Sequence, residues 1–135
     1  MIFYVITVAV IIALGGVCLA FFSGEDAEVI MFLNEYGWEI EIPYTERCEV
    51  VIPEIFDEVY NNYNIIQQHA GLNLINYRGK KALRYTYIVK NFPVKTEETV
   101  YANVLSIDGI PIGGDIMTVK LDGFMYSLNY LKTGQ

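Results

Sequence analysis

No lysine or arginine occurs before Arg47, and no charged residue of either sign before Glu25. The 135 residues hold one histidine, two cysteines and four prolines. So few histidines and cysteines exclude a zinc cluster and the disulfide framework of small secreted domains. Charged residues make up 19% and hydrophobic residues 53%, which excludes a disordered chain. The formal net charge of −7 argues against a nucleic-acid binder, whose footprint is a dominant basic patch. There is no glycine-rich phosphate loop, paired-histidine zinc motif or nucleophile elbow, and no cofactor is implied. His69 falls at the end of a helical pattern, where a cation favours the dipole, and reads as a cap.

What is present starts with an apolar run. The first 22 residues carry no charge. A helix rises ~1.5 Å per residue, so about 20 residues cross a hydrocarbon core. Met1 to Phe22 therefore reads as a transmembrane anchor. Its lipid-facing mass comes from Ile2, Phe3, Val5, Ile6, Val8, Val10, Ile11, Ile12, Leu14, Leu19, Phe21 and Phe22. A cleaved signal peptide would want a basic leader and a shorter apolar core. A lipoprotein anchor would want a small residue before its cysteine, and Val17 precedes Cys18. The simplest arrangement is a single pass in the cell membrane, with a cytoplasmic amino terminus and the C-terminal domain outside. Cys18 then lies inside the span, so a bond to Cys48 is not expected, and Cys48 reads as a buried free thiol.

Residues 23–135 read as one α+β domain with two packed helices and a mainly antiparallel sheet. Val29, Ile30, Leu33 and Tyr36 give a helix one apolar face, with Ser23 as cap and Gly37 as stop. Trp38 to Ile42 alternates apolar and acidic residues, as a half-buried strand closed by Pro43 does. A second strand covers Cys48 to Ile52. Pro53 suits the first turn of a second helix ending at Gly71. Leu83, Tyr85, Tyr87 and Val89 form the core face of a strand, with Arg84, Thr86, Ile88 and Lys90 opposite. Val100 to Ile107, the Asp108-Gly109 turn and a return strand make a hairpin. Gly113 and Gly114 suggest a bulge, with Asp115 as a turn residue.

Charge is uneven along the chain: residues 1–70 carry −10 and residues 71–135 carry +3. Arg78, Lys80, Lys81 and Arg84 form a candidate interaction surface for an anionic or acidic partner. The bland alternative is a solvated strand face opposite the domain's own acids. Glu54 and Glu58, one helical turn apart, and Asp115 are the candidate acids of a hydrolase, although exposed helix-start carboxylates seldom act so. The tyrosines are candidates for a carbohydrate or peptide groove, against the default of core aromatics with wet hydroxyls.

Several strings carry a resemblance. They are Tyr36-Gly37-Trp38-Glu39, Ile52-Pro53-Glu54, Phe56-Asp57, Val59-Tyr60 and Tyr63-Asn64. They continue through Gly71-Leu72-Asn73-Leu74, Tyr77-Arg78-Gly79-Lys80, Arg84-Tyr85-Thr86-Tyr87, Gly113-Gly114-Asp115 and Leu121-Asp122-Gly123-Phe124-Met125. Together they resemble a family of short bacterial proteins known as domain of unknown function 4830. Departures are Ile75-Asn76, in place of Ser-Pro, and Tyr126, in place of His. The resemblance implies a Gram-positive source, a membrane-proximal domain, no assigned activity and no catalytic residues. The resulting expectation is a membrane-anchored, non-catalytic module that binds a protein or cell-envelope component. A small-ligand or carbohydrate-binding domain with a tyrosine-lined groove is the alternative, and a carboxylate-based hydrolase a third.

Overall fold

The computed structural model describes residues 24–135 and the backbone of Cys18 and Leu19. The anchor expected over residues 1–22 otherwise lies outside the described residues. No helix among the described residues is long and apolar enough to cross a membrane. The order is β1 (Cys18–Leu19), a 3-10 turn (Gly24–Asp26), α1 (Ala27–Glu35), β2 (Glu46–Val51) and α2 (Glu58–His69). A second 3-10 turn (Leu74–Tyr77) leads to β3 (Lys81–Ile88), β4 (Val100–Ile107), β5 (Ile110–Thr118), β6 (Met125–Tyr126) and α3 (Tyr130–Thr133). All six strands form one sheet in chain order, each antiparallel to the next. The fold is α+β, as the pattern of elements predicts.

Alternation along the strands assigns two faces, and both are covered. On one face Tyr85, Tyr87, Val104 and Ile116 meet Val29 and Leu33 of α1, together with Trp38 and Leu128. Trp38 is fully buried and its Nε1 donates to the Leu128 carbonyl at 2.7 Å. On the other face Val50, Ala82, Leu105 and Ile112 meet Leu74, with Phe56, Tyr60 and Tyr63 of the α2 region packed over them. Arg84 and Thr86 belong to this second face and are 3% and 2% exposed. The strand pattern predicts a solvated face there. Helix α2 covers it, with Tyr63 and Gln67 meeting Asp115 and the Gly114 N–H, while Arg84 and Thr86 find Glu46 and Asn103 within the sheet.

Local starts and stops differ from the sequence expectations in instructive ways. Gly37 and Gly71 end their helices with positive φ, where a Cβ would be strained. Helix α2 begins at Glu58, not near Pro53, because the Asp57 carboxylate accepts the Tyr60 N–H at 2.8 Å and so caps the helix. The stretch from Trp38 to Ile42 contributes one isolated bridge, Ile40 to Val89, rather than a strand. Pro43 offers no N–H to prolong the ladder, and the chain turns to bury Tyr44.

Cys18 and Leu19, expected inside an apolar helix, form an edge strand opposite Cys48 and Arg47. Cys48 is disulfide-bonded, which corrects the expectation of a free thiol. The only other cysteine in the chain is Cys18, and the register sets the two residues directly across from each other.

The hairpin glycines also change their role. The register slips at Leu105/Ser106, where Leu105 faces Gly113 and Ser106 faces Pro111, so the bulged residue is Ile112. Neither Gly113 nor Gly114 has positive φ. Close approach explains them instead. A Cβ on Gly114 would lie 2.3 Å from the Asn103 carbonyl oxygen, which is backbone and cannot yield. On Gly113 it would meet Gln67 Oε1 and Leu74 Cδ2, both at 2.9 Å, and both are movable side-chain ends. Gly114→Ala is therefore expected to cost about 2 kcal/mol by overpacking, and Gly113→Ala less. Urea unfolding followed by Trp38 fluorescence checks the order, and equal midpoints for the two variants would contradict it.

Candidate functional site

Two regions of the domain concentrate polar or aromatic side chains, one sealed and one open. The sealed region lies between α2 and the sheet. Asp115 pairs with Asn103 across β4 and β5 and is 2% exposed. Its carboxylate accepts the Tyr63 hydroxyl at 2.7 Å and Asn103 Nδ2 at 3.0 Å. Thr86 donates onward to Asn103 Oδ1 at 2.6 Å. Gln67 Oε1 accepts the Gly114 N–H at 2.8 Å. Arg84 lies on the same face; its Nη2 is 3.3 Å from both Glu46 Oε1 and Cys48 Sγ.

Burial pushes the Asp115 carboxyl above its ordinary value, while Asn103, Tyr63 and the Arg84 charge pull it back. Burial, then the Asp115 charge, raises the Tyr63 phenol well above its ordinary range. A raised carboxyl is a mark of acid–base sites, but this one is roofed by α2. Glu54 and Glu58 are exposed and do not converge with it. Asp115 is thus a mid-strand residue that locks a helix, not the turn residue that the Gly-Gly-Asp string suggests. Among the described residues no group of three His, Cys, Asp or Glu is placed to hold a metal.

The basic cluster divides. Arg78, Lys80 and Lys81 are exposed, whereas Arg84 is buried, so any contact surface rests on the first three. Lys81 is 3.7 Å from Glu49, and Lys80 lies over the Tyr77 ring.

The open region is at the other end of the sheet, where β3 ends and β6 pairs with β5. Phe92, Phe124, Tyr126 and Tyr130 stack with interplanar angles of 15–18° and centroids 4.4–5.5 Å apart. Trp38 lies parallel to Phe92 at the inner end. All four outer rings are half-buried. Beside them the β3–β4 connection borders an open depression of about 430 Å³, with Phe92, Lys90, Lys95 and Glu97 among its lining. The tyrosines that stand out by helical spacing or strand alternation are Tyr36, Tyr60, Tyr63, Tyr85 and Tyr87, and these are structural. Tyr36 donates to the Ala70 carbonyl, Tyr63 to Asp115, and Tyr87 to the buried Asp26. The slab eludes sequence reasoning because Phe92 joins it from a distant loop; only the close spacing of Phe124, Tyr126 and Tyr130 hints at it.

A family model described as a domain of unknown function (DUF4830) matches residues 32–116. The chain belongs to the DUF4830 family. Neither a curated protein nor a solved structure matches it. The matched DUF4830 segment spans Trp38, α2, the sealed Asp115 cluster and the β3–β4 hairpin. Tyr126 and Tyr130 fall beyond it.

The sealed DUF4830 cluster gives a pH signature. The folded Asp115 carboxyl is raised above its ordinary 3.8, so the folded state holds a proton that the unfolded state has lost. Its contribution is therefore full below the ordinary value and is lost as pH rises through the raised one. Asp115→Asn should melt progressively better relative to the wild type as pH rises from the ordinary carboxyl value of 3.8. Tyr63→Phe removes a bond that lowers the carboxyl, so it should destabilise by about 1–3 kcal/mol and extend the dependence to higher pH. Thermal melts across that range check both, and a pH-independent gap for Asp115→Asn would refute the assignment.

Proposed function

We propose that the chain is a single-pass, membrane-tethered domain that acts outside the cytoplasm, binding a protein or cell-envelope component without catalysis. The observation that carries this reading is the disulfide on Cys48. Disulfides form and persist in oxidising, extracytoplasmic settings and are rare in the cytosol. The uncharged amino-terminal run supplies the tether. β1 includes Cys18 and Leu19, so the anchor is proposed for the apolar residues before them.

The register of β1 also supports an orientation. Cys18 faces Cys48 and Leu19 faces Arg47, so the amino-terminal end of β1 points toward the end of the sheet where Val51 pairs with Lys81. The Ile107–Ile110 turn is at the same end. A tether leaving there turns Arg78, Lys80 and Lys81 toward the bilayer, and the Phe92–Tyr130 slab away from it. A hydrolase is not favoured, because Glu54, Glu58 and Asp115 share no open cleft. The alternative of a carbohydrate-binding domain draws its support from the half-buried aromatic stack beside the open depression.

Alkaline carbonate extraction of membranes should leave the full chain in the pellet, and protease added to intact cells should digest the domain. Maleimide should label the denatured protein only after reduction. Recovery in the carbonate supernatant, or labelling without reductant, would overturn the tethered, extracytoplasmic reading.

A further inference from the structure

We infer that the disulfide between Cys48 and Cys18 is a redox site, opened by a thiol reductant and biased toward its reduced state by Arg84 and Glu46. The inference goes beyond the tethered reading, which needs only that the disulfide exists. Cys48 lies within β2 and is fully buried. Arg84 Nη2 is 3.3 Å from its Sγ, and Glu46 Oε1 is 3.5 Å from the same atom. These are neighbours suited to a thiol rather than to a disulfide sulfur. A disulfide sulfur has no proton to give a carboxylate and no charge to meet a guanidinium. A thiol can donate to Glu46, and a thiolate can pair with Arg84. A purely structural staple between two strands needs neither group.

Two further observations point the same way. Arg84 is 3% exposed, its contacts to Glu46 and Cys48 both run through Nη2, and its Nε has no hydrogen-bond partner. A buried guanidinium with an unmet N–H is costly. A thiolate at Cys48 sets a full negative charge beside that guanidinium, so reduction relieves a cost that the oxidised state carries. Stabilising the reduced form in this way is what makes a disulfide easy to reduce. The second observation is the place of β1, the edge strand of the sheet, which pairs with β2 alone. Because Cys48 is sealed, the incoming thiolate attacks the Cys18 sulfur. The S–S bond breaks toward Cys48, which leaves as a thiolate beside Arg84 and then takes a proton from water. A second thiol of the reductant resolves the mixed disulfide on Cys18. Two electrons and two protons thus pass to the protein, which ends with two thiols while the reductant ends as a disulfide. Reduction ends the covalent hold of β1 on the sheet.

The test uses the full oxidised chain in detergent micelles, held without oxygen in glutathione of graded reduced-to-oxidised ratio. Free thiols are trapped with a high-mass maleimide and read as a gel shift. Structural disulfides resist glutathione. The wild type should instead pass from unlabelled to doubly labelled within the graded series. Arg84→Met, which keeps the length and loses the charge, should need a mixture about tenfold more reducing, the worth of one charge-assisted contact. Arg84→Lys, which keeps the charge, should shift less. Unchanged Trp38 emission shows that each variant is folded. A wild type that stays oxidised throughout would overturn the redox site without recourse to any variant. Equal midpoints for the wild type and folded Arg84→Met would overturn the part given to Arg84. Labelling before any glutathione is added would remove the disulfide itself, and the tethered reading with it. Release of the chain by carbonate would overturn the tether alone and leave the redox site standing.

Discussion

The Asp115 carboxylate under α2 is the constraint from which one whole face of the domain follows. A carboxylate removed from water must be hydrogen-bonded or neutralised. Tyr63 and Asn103 meet that demand, with the Arg84 charge on the same face. Tyr63 can reach Asp115 only if α2 lies across β5 with one rotation about its axis. That rotation brings Gln67, one helical turn on, to the Gly114 N–H. Gly113 and Gly114 must then be small, since Gln67 and Leu74 sit over the first and the β4 backbone crowds the second. Helix position, strand composition and the polar relay through Asn103 to Thr86 are one solution to one burial problem.

The opposite face is held by different physics. Its core is apolar and aromatic, built on Trp38, Tyr85 and Tyr87 beneath α1. Buried polar atoms are few there and mostly partnered, as when Tyr87 donates to Asp26 at the start of α1. Burial, then the Asp26 bond, raises that phenol, so it stays protonated as a donor. A polar face fixes geometry because unmet hydrogen bonds are expensive, whereas an apolar face fixes volume. The domain uses one for register and the other for bulk.

Both faces are covered, and the two ends of the sheet differ in what they carry. At one end lie the tight β4–β5 turn and the β2–β3 connection that carries α2, and β1 enters along the edge, with Cys48 disulfide-bonded beside it. At the other, the long β3–β4 connection and the carboxy-terminal segment after β5 bring distant aromatics together. On the proposed orientation the first end meets the bilayer and the second faces the envelope. The charged residues divide as well: Arg84 is buried inside the fold, while Arg78, Lys80 and Lys81 are exposed near the first end.

Sequence periodicity alone determined the α+β class, the α1 and α2 patterns, the Asp108-Gly109 hairpin and the helix stops at Gly37 and Gly71. These are local: 3.6- and 2-residue spacings and positive φ depend on near neighbours. The family strings are likewise a property of the chain. Tertiary structure alone decided that Arg84, Thr86 and Asp115 are buried, because a polar residue on an alternating strand looks solvated until a helix covers it and partners such as Glu46, Asn103 and Tyr63 meet its polar atoms. It decided the state of Cys48 through the pairing of β1 with β2, a contact between residues 18 and 48. It also decided which aromatics stack together, since Phe92 meets Phe124 and Tyr130 only when the segment after β3 and the carboxy-terminal segment converge on one end of the sheet. Pattern reads what a residue's neighbours in the chain require; burial of a polar group and assembly of a surface depend on partners that no local spacing encodes.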